Sequence, residues 1–364
     1  MGKGTNFSGQ PVLSQLIKLM DRQKINTLAS KSGANYYTNH LDGYSHLVVM
    51  LYAVLSNLRS LRETCLGFAA NATRMNHLGI DHMICRSTLF DANKRCKSSF
   101  IGSIYRMLYR RYAPVLSDSM SKREASTKLY VMDSTTISLF SQILRGVGRN
   151  PNNGKKKGGI KAHAIIEESI DLPVFVDYTE GIVHDHEAME RLFDLPYGSF
   201  IAFDMGYTDY MLWKRLDEAG YKFVCRLKDN AKFKIIEQRK CPEKDIIADQ
   251  VCETYRRRWS IESLFKKLKQ NFPLKYFLGD NVNAIEIQIW VTMIAYLLLR
   301  VMQAKAKSKL AFSNIVMLTR VTLGAYIDLV TLLNCPKLDW NMLEQQRARW
   351  EACQNTRQLE LFPT

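Results

Sequence analysis

Negative charge is scarce in this chain. Its 35 Asp and Glu stand against 51 Lys and Arg, a formal net charge of +16. Such an excess points to a polyanionic partner, of which nucleic acid is the commonest. Paired cysteines are missing too. The eight cysteines lie at 65, 85, 96, 225, 241, 252, 335 and 353, with no C-x-x-C pair and no Cys/His cluster at zinc spacing. That argues against a zinc module or a disulfide framework and for reduced thiols. An apolar leader is absent, since Lys3 precedes polar Gly4-Thr5-Asn6. A clean membrane-length apolar run is absent as well. Ile285 to Val301 is interrupted by Glu286 and Gln288 and reads as a buried core helix. These absences lead us to expect a cytoplasmic protein without a membrane partner. No internal repeat is visible, and the one low-complexity patch, Asn152 to Gly159, reads as a loop.

What is present suggests two or three domains in 364 residues. Residues 1–125 read as helical, with apolar residues at helical spacing over Val12–Met20 and Leu47–Leu58 and a further helix from about Ser60. Between Ile80 and Leu108 a helical pair follows, with Ser87 and Thr88 as candidate caps. It carries Asn93, Lys94, Arg95 and Lys97, then Arg106, Arg110 and Arg111. A cluster of short helices with one basic, Asn-containing helix is similar to a helix-turn-helix DNA reader; the bland reading is a solvated basic helix. Periodicity changes at about residue 126. Strands are expected at Leu129–Met132, Ile160–Ile166, Val174–Tyr178, Phe200–Phe203 and Lys222–Leu227, with helices at His186–Leu192 and Tyr210–Ala219. A long amphipathic helix is expected from near Asp249 to about Gln270. This order predicts an α+β (α/β layered) catalytic domain with a mixed sheet over 126–280. Residues 281–335 read as a helical C-terminal region suited to dimerisation, and 336–364 as a polar tail with at most a short helix.

Two aspartates follow predicted strands: Asp133 in Tyr130-Val131-Met132-Asp133 and Asp204 in Phe200-Ile201-Ala202-Phe203-Asp204. Each alone has a bland explanation as a turn residue. Together they can converge at the ends of adjacent strands. On the long helix, Tyr255, Arg258, Glu262 and Lys269 fall within an arc of roughly 60° at about 100° per residue. They border an apolar stripe of Ile261, Leu264, Phe265, Leu268 and Phe272. A salt-bridged solvated face accounts for the Arg258–Glu262 spacing but not for its place beside that stripe.

These residues resemble the Y-R-E-K signature of the insertion-sequence-four family of bacterial transposases, and the four match every interval. Lys157-Gly158-Gly159-Ile160-Lys161-Ala162-His163, Asp204-Met205-Gly206-Tyr207 and Arg226-Leu227-Lys228-Asp229-Asn230 resemble further motifs of that family. The resemblance spans about residues 5–330. It implies an RNase H-like core with a mixed five-stranded sheet, in which Asp133, Asp204 and Glu262 bind two Mg²⁺ ions, replaceable by Mn²⁺. One ion would activate the attacking oxygen and the other would stabilise the leaving oxygen. It implies cut-and-paste transposition at inverted-repeat ends in a bacterial cell, with double-stranded DNA as partner and a homodimer holding two ends. Tyr255, Arg258, Lys269, Lys157, Lys161, Lys94 and Arg95 would then contact DNA, with Lys155, Lys156, Arg256, Lys266 and Lys267 extending the basic surface or simply facing solvent.

One departure stands out. Only 58 positions separate Asp204 from Glu262. The family usually carries a β-rich insertion there, and residues 229–250 leave room for a short loop. The chain is then either a compact variant or a copy with an internal deletion, and the abrupt Asp249-Gln250-Val251 junction favours a deletion. Two other functions stay open: an impaired copy acting as a DNA-binding protein, and an RNase H-like nuclease without strand transfer. His163, His184 and His186 suggest a metal site less well than they suggest structural histidines.

Overall fold

The computed structural model of the protein describes residues 9–36, 38, 41–118, 128–138, 159–180, 190–227, 234 and 246–361. Lys157, with Lys155 and Lys156, lies outside them, as do His184 and His186 and nearly all of the 229–245 segment.

Among the described residues, seven α-helices precede the sheet: α1 (Val12–Ile17), α2 (Arg22–Ser32), α3 (Gly43–Leu55), α4 (Leu61–Ala70), α5 (Ala72–Met75), α6 (Arg86–Arg95) and α7 (Ser98–Asp118). Asp21, Asp42 and Ser60 start α2, α3 and α4 by accepting the backbone N–H three residues on, which satisfies one of the donors a helix start leaves unpaired. Ser87 and Thr88, expected as caps, lie inside the first turn of α6; Cys85 holds the cap position without a side-chain bond. α3 is buried on every side, as its nearly unbroken apolar sequence requires.

The sheet has the order β3-β2-β1-β4-β5, from β1 (Leu129–Ser138), β2 (Gly159–Glu167), β3 (Leu172–Glu180), β4 (Phe200–Phe203) and β5 (Lys222–Cys225). β1 runs parallel to β4, and β4 to β5, while β1–β2 and β2–β3 are antiparallel. This is the mixed RNase H-like arrangement, and the fold is α+β as expected. Alternation along β1 splits its side chains. Tyr130 and Met132 join a small core with Phe203, Tyr207 and α8 (Tyr210–Glu218), whereas Val131 joins the large helical core.

After the sheet come α9 (Ile246–Arg256), α10 (Trp259–Asn271), α11 (Val282–Ala306), α12 (Phe312–Thr322), α13 (Leu329–Asn334) and α14 (Leu338–Leu361). α11 is long and apolar enough to cross a membrane by length and composition, but it is mostly buried inside the protein. Its Trp290 ring lies where Gly102 of α7 has no side chain; a Cβ there would sit 3.0 Å from the indole. Helices from before and after the sheet therefore share one core. Residues 338–361 form a single helix, longer than the short one expected within the polar tail.

A candidate active site on two adjacent strands

The register sets the two aspartates side by side. Met132 pairs with Phe203, so Asp133 and Asp204 each stand one step further along parallel neighbours. The expectation that Asp133 ends its strand needs correcting. β1 continues to Ser138 against β2, with Asp133 opposite Ala164, while β4 stops at Phe203. Asp133 thus sits where β4 leaves, on the same face as Val131, towards α10.

The single long helix is also corrected. α9 ends at Arg256 and α10 starts at Trp259. Across the junction the N–H groups of Arg258, Ser260 and Ile261 donate to carbonyls three residues back, a tightened 3₁₀ turn. That turn puts Tyr255 on a different helix from Glu262, yet the Arg258 guanidinium still lies 5.7 Å from the Tyr255 ring centre. Tightening also draws Arg258 inward, so that it is buried.

Arg258 then joins the site. One nitrogen donates to Asp133 Oδ2 at 3.1 Å and another to Glu262 Oε1 at 2.9 Å. The Ser134 N–H holds the other Asp133 oxygen at 2.7 Å. Burial pushes the Asp133 carboxyl up to about 6, opposed by the Ser134 bond and Arg258 and assisted by the charges of Asp204 and Glu262. Burial alone would lower Arg258, but Asp133, Glu262 and Asp204 outweigh it and raise its pKa. All three carboxylates therefore act on one guanidinium.

Lys269 Nζ donates to Thr135 Oγ1 at 2.6 Å, and burial lowers its pKa. These groups line a cleft of about 720 Å³ with Lys266, Gln270 and Lys275. Lys275 and Thr135 were not singled out from sequence. Lys275 lies beyond α10, outside any periodic pattern, and Thr135 is recognisable only once β1 is known to continue past Asp133.

The other expected contacts scatter. Lys161 faces the opposite side of the sheet from Asp133, opposite Thr136 and two residues from His163. Buried His163 pairs with Tyr207, at 3.4 Å from Nδ1 to the hydroxyl. Lys267 turns from the cleft to Asp171 Oδ2 at 2.5 Å, and Arg256 pairs with Glu253 at 3.7 Å. On α6, Asn93 is buried. It accepts from His46 Nε2 at 2.7 Å and donates to the Leu278 carbonyl at 3.0 Å, which removes it from any base-reading role. Lys94 and Arg95 remain exposed, and the Lys94 ammonium lies 4.1 Å over the Phe90 ring.

The donor set suits a hard divalent cation, because carboxylate oxygens are what such ions take and a cationic group already bridges two of the three. Among the described residues, no three acidic, histidine or cysteine side chains are close enough to hold an ion as placed. Arg258 occupies the position between Asp133 and Glu262.

Asp133 within β1 and Asp204 just past β4, on adjacent parallel strands beside Glu262 of α10, make a carboxylate set like that of DDE phosphoryl-transfer domains. Residues 124–298 match the family Transposase DDE domain, and residues 8–81 match a domain of unknown function, DUF4372. A transposase of Sinorhizobium fredii is 28% identical, covering 58% of this chain and 70% of its own length. The transposases named for insertion sequence elements IS4SA of Synechocystis and IS5377 of Geobacillus stearothermophilus are each 24% identical, with 58% and 60% of this chain and 70% of their own covered. The cryo-EM structure of piggyBac transposase synaptic complex with hairpin DNA aligns at 10% identity over 92% of this chain and 84% of that one, with a TM-score of 0.45. The protein is a DNA transposase with a DDE catalytic domain, resembling those of insertion sequences.

Proposed function

We propose that the chain cleaves and rejoins DNA at the inverted-repeat ends of its own insertion element, by cut and paste, with Asp133, Asp204 and Glu262 as the metal-binding carboxylates. The observation that carries this reading is the single guanidinium shared by Asp133 and Glu262 beside Asp204. When bound, a pair of Mg²⁺ or Mn²⁺ ions would supply Lewis-acid stabilisation of the attacking and leaving oxygens at phosphorus. The chain's own residues orient and neutralise. Lys269, anchored on Thr135, sets a cation on the cleft wall for a phosphate beside the cut. Lys266 and Lys275 line the same cleft for the backbone on either side. Arg258, stacked near Tyr255, is placed to exchange its carboxylates for a phosphate, with Tyr255 beside the terminal nucleotide.

The reaction is assigned to the cytoplasm, on nucleoid DNA, with two copies holding two ends. α11 is spent on the chain's own core, so a partner copy would have to use other surfaces, such as α12 or α14, where Val321, Trp340 and Trp350 are exposed.

The test is incubation of the full chain with labelled duplex carrying the repeats that flank its gene, plus Mg²⁺ or Mn²⁺. Wild type is expected to nick at the element end and then join the freed 3′-hydroxyl to target DNA. Asp133→Asn, Asp204→Asn and Glu262→Gln should each lower cleavage about a thousandfold, the several kcal/mol that a metal ligand set contributes. Exposed Asp217→Asn should not. Binding without nicking by wild type would instead mark the chain as an inert copy occupying element ends, and cleavage that survives Asp133→Asn would overturn the site.

A further inference from the structure

We propose that a groove between α4 and α6 is a second binding site, for the phosphate backbone of duplex DNA, continuous with the catalytic cleft. The proposal rests on the transposase reading above but concerns a surface that reading does not use. The groove has a volume of about 470 Å³, and its walls carry Arg59, Arg62, Arg86, Phe90, Phe277 and Asp280. The three arginines are exposed, and among the described residues none of them is in an ion pair. Two acids lie near. Asp280 lines the groove, and Glu63 of α4 is engaged by the Arg59 backbone N–H at 2.8 Å.

Folding does not explain where these arginines stand. Arg62 lies in the first turn of α4 and Arg86 is the first residue of α6. A helix N-terminus carries partial positive charge, so a cation there costs roughly 0.3–1 kcal/mol instead of contributing it. Arginines held at two such positions, facing one groove, form a strongly electropositive surface that a phosphate backbone would neutralise.

Continuity with the cleft comes from one short segment. Lys275 is on the cleft wall, and Phe277 to Asp280 form the groove wall. Tyr276 lies between them, exposed, with the Arg59 guanidinium 5.2 Å from its ring centre. The segment is rigidly held. Buried Gln288 of α11 donates to the carbonyls of Pro273 at 2.7 Å and Tyr276 at 2.8 Å, and accepts from the Leu278 N–H at 2.8 Å. One buried side chain therefore fixes both walls relative to each other. Lys269, Lys275, Arg59, Arg62 and Arg86 make a single track, with Lys94 over Phe90 at its edge. Exposed lysines and arginines spread along a groove neutralise phosphates whatever the sequence, so the ligand is duplex backbone flanking the cut.

The test is fluorescence anisotropy with the full chain and a labelled duplex of arbitrary sequence, in metal-free buffer, over a salt series. The variants are the triple Arg59→Gln, Arg62→Gln, Arg86→Gln and a control of equal charge loss on other elements, Lys18→Gln, Lys31→Gln, Lys309→Gln. Three lost phosphate contacts should flatten the slope of log K against log salt by about 2–3 and weaken binding at least tenfold at low salt. The control should stay within about twofold of wild type. A triple arginine-to-lysine variant keeps the charge and should keep most of the slope, which separates lost contacts from misfolding. The groove is ruled out if the glutamine triple and its control share one slope and one affinity. If that happens while Asp133-dependent cleavage persists, only the groove reading fails. A wild type that binds no duplex would sink both.

Discussion

Arg258 and Asp133 are 125 residues apart in sequence and 3.1 Å apart in the fold, with the same guanidinium also reaching Glu262 at 2.9 Å. The contact is half of a buried charge network whose Arg258 Nε has no partner among the described residues. A buried cation without full satisfaction is costly. It is tolerated here because Asp133, itself half-buried, needs a positive neighbour.

Arg258→Ala should therefore destabilise the metal-free protein. Glu262 is half exposed, so solvent screens that arm, and the loss should come mainly from half-buried Asp133 left without its cation beside Asp204, about 2 kcal/mol. Added Mn²⁺ should stabilise the variant more than wild type, because the position between Asp133 and Glu262 is then open. Urea melts with and without the ion measure both effects. Equal metal-free stability of the two proteins would contradict the network.

His46 sets a pH dependence. It is fully buried on α3, and desolvation, first among its causes, lowers its pKa to about 4 despite the opposing bond to Asn93. The unfolded chain binds a proton near pH 6.5 that the folded protein refuses. The histidine's contribution is thus complete above pH 6.5 and is lost as pH falls towards 4, by about 3 kcal/mol. Asp133, raised to about 6, works the other way over much of that window. The histidine's share is read as the difference between wild type and His46→Gln in denaturant melts from pH 7 to pH 4. A difference that does not change with pH would show that His46 titrates normally.

Asp171 clamps the catalytic helix from behind. It accepts from Lys267 of α10 and from the Tyr296 hydroxyl of α11 at 2.8 Å, and holds φ at +54° in the left-handed region. Asp171→Asn keeps a residue that tolerates this backbone and can accept one bond, and should lose about 1 kcal/mol. Asp171→Ala loses both bonds and adds backbone strain, and should lose about 2–3 kcal/mol. Thermal melts of the two variants give the ranking, and the reverse order would argue against the clamp.

Much of the site was legible from local pattern. The four residues from Tyr255 to Lys269 and the aspartates behind two β-rich runs rest on spacing and strand propensity, which are short-range properties. The all-helical flanks and the buried nature of α11 were legible for the same reason. Other features were not. Asn93 reads as a DNA-facing residue on a basic helix, and its burial against His46 depends on α3, 47 positions away. Lys267 reads like its neighbour Lys266, but Asp171 takes one and solvent the other.

The amino-acid order by itself determined which residue types could form strands, helices and caps, and which carboxylates and cations could share an element, because those follow from periods of two and 3.6 residues. Only the tertiary structure decided that β1 runs on past Asp133, that a 3₁₀ turn divides α9 from α10, and that Arg258 points inward. Each depends on the partner met across the fold: β2 extends one strand, and burial against the sheet edge draws the guanidinium to two acids. Pairings between distant segments leave no period in the chain that makes them.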